Sequence, residues 1–155
     1  MVVFTNSETE VFHRQCEVSM DVRLAVLADA ANVTTEGKLN ILGIFNALGA
    51  SSFPVSHPQM HLVMQFEASR AEEGKTKQIE IQLADGDGTK VFAINAALVV
   101  PHGVPGGPIR MNHILGLNGV RFPRPGDYAF NILIGDDHKA AVELKLIETK
   151  PPVND

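Results

Sequence analysis

The stretch Phe122 to Asp137, FPRPGDYAFNILIGDD, leaves a chain few conformational choices. Pro123 and Pro125 fix φ and remove two amide donors, and Gly126 follows them, so the segment enters as a rigid corner. Tyr128, Phe130, Ile132 and Ile134 then share one face by the two-residue period of a strand, with Ala129, Asn131 and Leu133 on the other. Gly135-Asp136-Asp137 is a turn by composition. A strand with one face in a core follows. Tyr128, the only tyrosine, stands at its start. In Greek-key sandwiches a tyrosine so placed packs its ring inward and returns its hydroxyl to the backbone a few residues upstream. The expectation is such a corner between Tyr128 and Phe122 to Gly126.

The same period recurs along the chain. Val22, Leu24 and Val26 share a face before a turn at Asp29-Ala30-Ala31-Asn32 and Thr34-Thr35-Glu36-Gly37. Leu39 to Phe45 is apolar on both faces, and its β-branched Ile41 and Ile44 favour a strand. Ser51 to Pro58 reads as a loop. Strands follow on Met60, Leu62, Met64 and Phe66, and, after a charged connection from Ser69 to Lys77, on Ile79, Ile81 and Leu83. Asp85-Gly86-Asp87-Gly88 is a hairpin turn. Phe92 to Val100 returns, and Pro101 to Pro108, PHGVPGGP, cannot continue a ladder and is expected as a long exposed loop. Met111 to Leu117, the Tyr128 strand and Ala140 to Leu146 complete the pattern. About eight strands without an amphipathic helix predict an all-β fold, an antiparallel immunoglobulin-like β-sandwich. Its expected bounds are 20–149, with 1–19 an N-terminal tail or loosely attached edge strand and 150–155 a C-terminal tail.

At 155 residues the expectation is one domain, able to bury a sizeable core without disulfides or metal. No apolar run is long enough to cross a bilayer. Glu8, Glu10 and Arg14 interrupt the apolar segment that a secretory signal needs, and the single Cys16 has no internal disulfide partner, so the expected compartment is the cytoplasm. A net charge of −5 with no basic run speaks against a phosphate-tracking surface. The expected partner is therefore a protein of unknown identity, with self-association as one form, and neither nucleic acid nor membrane. Arg121 and Arg124 are expected to be solvated or paired with local acids such as Asp127.

The runs LADAANVTTEGKLNILGIF, SSFPVSHPQMHLVMQFEA and LNGVRFPRPGDYAF resemble an uncharacterised bacterial family of small β-sandwich proteins, over roughly residues 20 to 147. That resemblance implies a fold and brings no activity, cofactor or site residue with it.

The remaining constellations carry little chemistry. On a strand, His57 and His61 stand about 13 Å apart, too far for one metal. Asp85 to Thr89 opens like an EF-hand loop, but Lys90 and Ala96 occupy the positions that need glycine and a bidentate glutamate. No nucleophile elbow, P-loop or dinucleotide fingerprint is present. If successive strands alternate in direction, the loops carrying Asp29, Glu36, Glu72, Glu73, Asp136 and Asp137 share one end, the single clustering of like charge. No catalytic, cofactor-binding or metal-ligating residue is assigned, and no cofactor is expected. The predicted function is a non-enzymatic cytoplasmic interaction or structural module acting through sheet faces, edges or the 101–108 loop. The alternative is a small-ligand or calcium-binding sandwich using the acidic loop end.

Overall fold

A computed structural model describes residues 19–150. The expected tail up to residue 18, Cys16 within it, and residues 151–155 lie outside the described residues. The described residues form nine strands: β1 (Asp21–Val33), β2 (Leu39–Phe45), β3 (Ala47–Ala50), β4 (Val55–Ala68), β5 (Thr76–Asp85), β6 (Lys90–Val99), β7 (Ile109–Phe122), β8 (Gly126–Ile134) and β9 (Asp137–Glu148). One turn of 3-10 helix, Arg70–Glu72, lies between β4 and β5. The strands form two sheets, ordered β2-β1-β4-β7 and β3-β9-β8-β5-β6.

The inward residues of both sheets follow the period read from the sequence. Met60, Leu62, Met64 and Phe66 of β4 meet Leu83 of β5, Phe130 and Ile132 of β8 and Leu144 of β9 in one core, all 0 or 1% exposed. Phe122 closes the core against Tyr128, with ring centroids 5.1 Å apart at 76°. Edge-to-face packing of this kind suits the ring quadrupoles. The sequence period thus places the layer between the sheets correctly.

Four features differ from the sequence reading. Ala47–Ala50 is a ninth strand, and it pairs with β9 in parallel, so the second sheet is mixed rather than wholly antiparallel. β4 begins at Val55, within the predicted loop. Pro58 is tolerated there because β1 pairs with β4 only from His61 onward, which leaves the proline's donorless side without a neighbour strand. Asp29 to Asn32 do not turn: β1 runs on to Val33 and pairs with β2 from Ala28↔Ile44 to Val33↔Leu39. Finally, the tip of this β1–β2 hairpin does not project from the end of the sandwich. The Asn112 side chain of β7 donates to the Gly37 carbonyl at 3.3 Å, and His61 Nδ1 lies 3.0 Å from the Asp29 carbonyl. The hairpin therefore folds back over the outer face of the first sheet, where Val63, pointing away from the core by its period, is fully buried.

This bend decides which sides of the sandwich are open. On one side the chain crosses from β2 to β3 through Asn46 alone, linking the two sheets covalently. On the other side β6 and β7 are, among the described residues, the edge strands of their sheets, joined by the exposed 101–108 loop, whose Val104 is 81% exposed.

Candidate functional site

The Tyr128 corner forms as predicted. Tyr128 Oη donates to the Arg124 carbonyl at 2.7 Å, and its ring is buried. The corner aims Arg124 at the β5–β6 turn rather than at Asp127: its Nη2 lies 2.9 Å from Asp85 Oδ2 and 3.3 Å from Asp87 Oδ2. Asp85 Oδ1 also accepts the Thr89 and Asp87 amides at 2.9 and 3.0 Å, so this carboxylate stitches its own hairpin. The Thr89 amide first, and then Arg124 and the Asp87 amide, hold its pKa below the usual aspartate value against the effect of desolvation.

Of the acids expected at one loop end, Glu72, Glu73, Asp136 and Asp137 stand at connections on the same end, because Ala68 pairs with Ile109 and the Gly135 amide bonds the Gln78 carbonyl, whereas Asp29 and Glu36 belong to the hairpin that folds back. Asp29 sits in β1 against Gly43, whose φ of +72° and lack of a Cβ give its carboxylate room. Glu36 pairs with Lys38 at 3.0 Å. Glu73 accepts the Gly103 amide at 2.6 Å and lies 3.7 Å from His102 Nδ1, which ties down the start of the 101–108 loop. Its pKa is lowered by the Gly103 amide first, with His102 and Arg70 adding to that against desolvation. His57 packs on Phe45 at 6.2 Å, while His61 is bound to Asp29 as above. Among the described residues, no three acidic, histidine or cysteine side chains meet in a geometry that could hold a metal ion.

Glu72, which the sequence offers only as one of the loop acids, has a structural role that this reading did not assign it. It is 5% exposed, the one buried charged residue described. Oε1 accepts the Met20 amide at 3.1 Å and the Lys77 ammonium at 2.9 Å, and Oε2 accepts the Ser69 amide at 3.1 Å. Burial raises its pKa, but Lys77 and the two amides outweigh that and hold it below the ordinary glutamate value. One carboxylate thus fastens the entry to β1, the turn after β4 and the start of β5. The spacing Ser69-x-x-Glu72 is that of a capping box, a signal present in the sequence.

Concave regions lie elsewhere on the described residues as well. An open groove of about 560 Å³ runs over the outer face of the second sheet along Asn46, Asp127, Glu143 and Lys145. Asp127 stands opposite Lys145 across β8 and β9, so its charges are mixed and do not converge. An apolar slot of about 30 Å³ opens between the edges, lined by Ile94, Ala96 and Leu98 of β6 with His113 and Leu115 of β7.

The strand beside that slot is the more informative surface. Val100 donates to the Lys75 carbonyl and accepts the Gly74 amide, so its polar backbone groups face β5. By the two-residue period, those of Leu98, Ala96 and Ile94 do too, while those of Val91, Ala93, Asn95, Ala97 and Val99 face outward. From Val91 to Val100 the strand carries no charge and no proline. The other free edges are blunted in the usual ways. β3 has four residues, β2 is twisted by Gly43, and β7 carries Arg110, Arg121, Gly116 and Gly119. Among the described residues, nothing pairs with the outer side of β6.

The chain is similar in structure to the Pseudomonas fluorescens alkylpurine DNA glycosylase AlkC bound to DNA containing an abasic site analog. The likeness has a TM-score of 0.47 at 10% identity and covers 83% of this chain and 30% of that one. The expectation that excluded nucleic acid as a partner is corrected by that finding, and the exclusion is withdrawn. Its physical basis was too coarse, because a chain-wide charge of −5 does not fix the charge of any one face. What the glycosylase binds is a property of that protein. No helix among the described residues is long and apolar enough to cross a membrane. No curated protein matches the chain. The sequence profile of a family of unknown function (DUF6941) does match it, over residues 23–147, in accord with the resemblance carried by the three runs above, and the chain belongs to that family.

Proposed function

We propose that this protein is a non-enzymatic interaction module whose binding surface is the β6 edge, and that its partner docks by adding a strand there. The observation that carries this reading is the run Val91–Val100, an edge of full strand length without charge or proline and, among the described residues, without a strand paired to its outer side. Main-chain groups along such an edge give affinity to an incoming strand, and alternate side-chain pockets give selectivity. The half-buried Phe92, Ile94 and Leu98 supply those pockets, with the apolar slot between the sheets beneath them. The strand order is read as immunoglobulin-like of the variable type. The Tyr128 strand is its strand F, β9 its strand G, and β6 the added strand next to C. The cytoplasm remains the proposed compartment, supported by the single Cys16.

A photoreactive residue placed at Ala97 on this edge, or at Glu143 on the outer face of β9, tests the surface in cells. A discrete cross-linked product from Ala97 that is absent from Glu143 and lost in Asn95→Lys is the expected result. No discrete product at Ala97, or a product indifferent to Asn95→Lys, overturns the reading.

A further inference from the structure

The sequence of the β6 edge reads nearly the same in both directions. Val91-Phe92-Ala93-Ile94-Asn95-Ala96-Ala97-Leu98-Val99 is pseudo-palindromic about Asn95, with valine answering valine, alanine answering alanine, and Phe92 answering Leu98. The midpoint also falls on the correct backbone phase. Asn95 is one of the residues whose amide and carbonyl face outward, as are Val91, Ala93, Ala97 and Val99 at equal distances on either side of it.

We infer that the strand which β6 accepts is β6 of a second copy, paired antiparallel across a two-fold axis at Asn95. This inference rests on the edge-docking reading above and names its partner. In this register Val91 faces Val99 of the second copy, Ala93 faces Ala97, and Asn95 faces Asn95, each pair exchanging two amide–carbonyl bonds. On the outer face the pairs are small or apolar around a central asparagine amide pair. On the inner face Phe92 meets Leu98, and Ile94 meets Ala96. These inner residues are only half-buried in the single chain, and the paired strand covers them. No charge opposes a charge anywhere along the ladder, whereas self-pairing of β7 sets Arg110 and Arg121 against its free edge. The result is a continuous ten-stranded sheet made of two five-stranded ones.

Sedimentation of the purified full chain from about 1 to about 100 µM tests this. The expected result is a rise toward twice the chain mass across that range. Asn95→Lys brings two ammonium groups face to face at the axis and should weaken association at least tenfold. Position 95 is exposed, so the variant keeps the wild-type circular dichroism. Asn118→Lys, an exposed change on the β7 edge, should leave association unchanged. A wild type that stays monomeric throughout overturns self-pairing, as does a dimer that persists in Asn95→Lys or is lost in Asn118→Lys. If the wild type is monomeric while the Ala97 cross-link in cells still depends on Asn95, the edge remains a docking site for a different polypeptide. If both fail, the edge-docking reading falls with its partner.

Discussion

Replacing Glu72 by glutamine tests whether the fold is fastened where the geometry says it is. The carboxylate oxygens serve three donors: the Met20 amide, the Ser69 amide and the Lys77 ammonium. Glutamine offers one oxygen and turns an NH2 toward the rest, so a buried amide loses its acceptor and Lys77 loses its counter-charge. The lost bond to a charged acceptor costs about 1.5–3 kcal/mol. The Lys77 side chain is 25% exposed and can turn to water, so the ion-pair loss stays near the surface value of roughly 1 kcal/mol or less, not the value for a sealed pair. The total is about 3 kcal/mol. With a urea slope of about 2 kcal/mol/M, the unfolding midpoint falls by roughly 1.5 M at neutral pH. The pH dependence sharpens the test. The folded pKa of Glu72 lies below its unfolded value of 4.5, so its contribution is complete above that pH and is lost as pH falls through the folded value. Glutamine does not titrate, so the gap between the two proteins narrows on acidification. Urea unfolding at neutral pH and near pH 3 reads both effects. A neutral-pH gap below about 0.5 kcal/mol, or a gap of equal size at both values, would refute the reasoning.

Two further changes probe the corner and the hairpin. Tyr128→Phe keeps the ring against Phe122 and removes the bond to the Arg124 carbonyl, which should cost on the order of 1 kcal/mol and lower Tm by about 2–4 °C in a chain of this size. Indistinguishable melting curves would place the hydroxyl in water. Gly43→Ala puts a Cβ 2.6 Å from Asp29 Oδ2 at a φ of +72°, so it should destabilise by more than the roughly 1–2 kcal/mol of the left-handed backbone alone. A stability within about 0.5 kcal/mol of wild type would show that Asp29 and Gly43 do not approach as described.

What the sequence made legible was the part of the fold with a strong two-residue period. The Tyr128 strand, the Ile79–Leu83 strand and the turn at Asp85 to Gly88 all stand where they were read. β3 escaped because Ala47–Ala50 is too short and small to show a period, and its parallel pairing with β9 joins segments about a hundred residues apart. Asp29 misled because its neighbours are turn-forming by composition. What overrides them is Gly43 on the partner strand, which local reading cannot supply. Counting strand directions puts the Ser69–Thr76, 101–108 and 135–138 connections at one end, as the registers have them, and fails only for Asp29 and Glu36, whose hairpin folds back over the sheet. For Arg124 the sequence offers solvent or a local acid such as Asp127. The corner that Tyr128 closes turns the arginine instead toward Asp85, 39 residues away in the chain.

These corrections bear on function by elimination of one kind of surface. Several of the acids that made a cation site conceivable accept backbone amides that hold the fold: Glu72 at the entry to β1, Glu73 on the 101–108 loop and Asp85 in its own hairpin. A carboxylate already accepting backbone amides has fewer lone pairs to offer a metal, and its lowered pKa reports those bonds. The β6 edge stands in the opposite condition. Its outward amides and carbonyls have no partner among the described residues, and water satisfies them at no strain. What distinguishes this edge is the missing protection. Strand edges of this length normally carry a lysine, a proline or a bulge in their middle, because an unguarded edge pairs with whatever strand it meets. Lys90 guards only the first residue of β6, and the one register shift against β5 lies between Leu83 and Ala84, at the same end. From Val91 onward, selection against pairing has left no mark. A second β6 in the Asn95 register would satisfy the outward backbone groups and cover Phe92, Ile94 and Leu98 at once, which is why the edge, and not the acidic turns, carries the functional proposal.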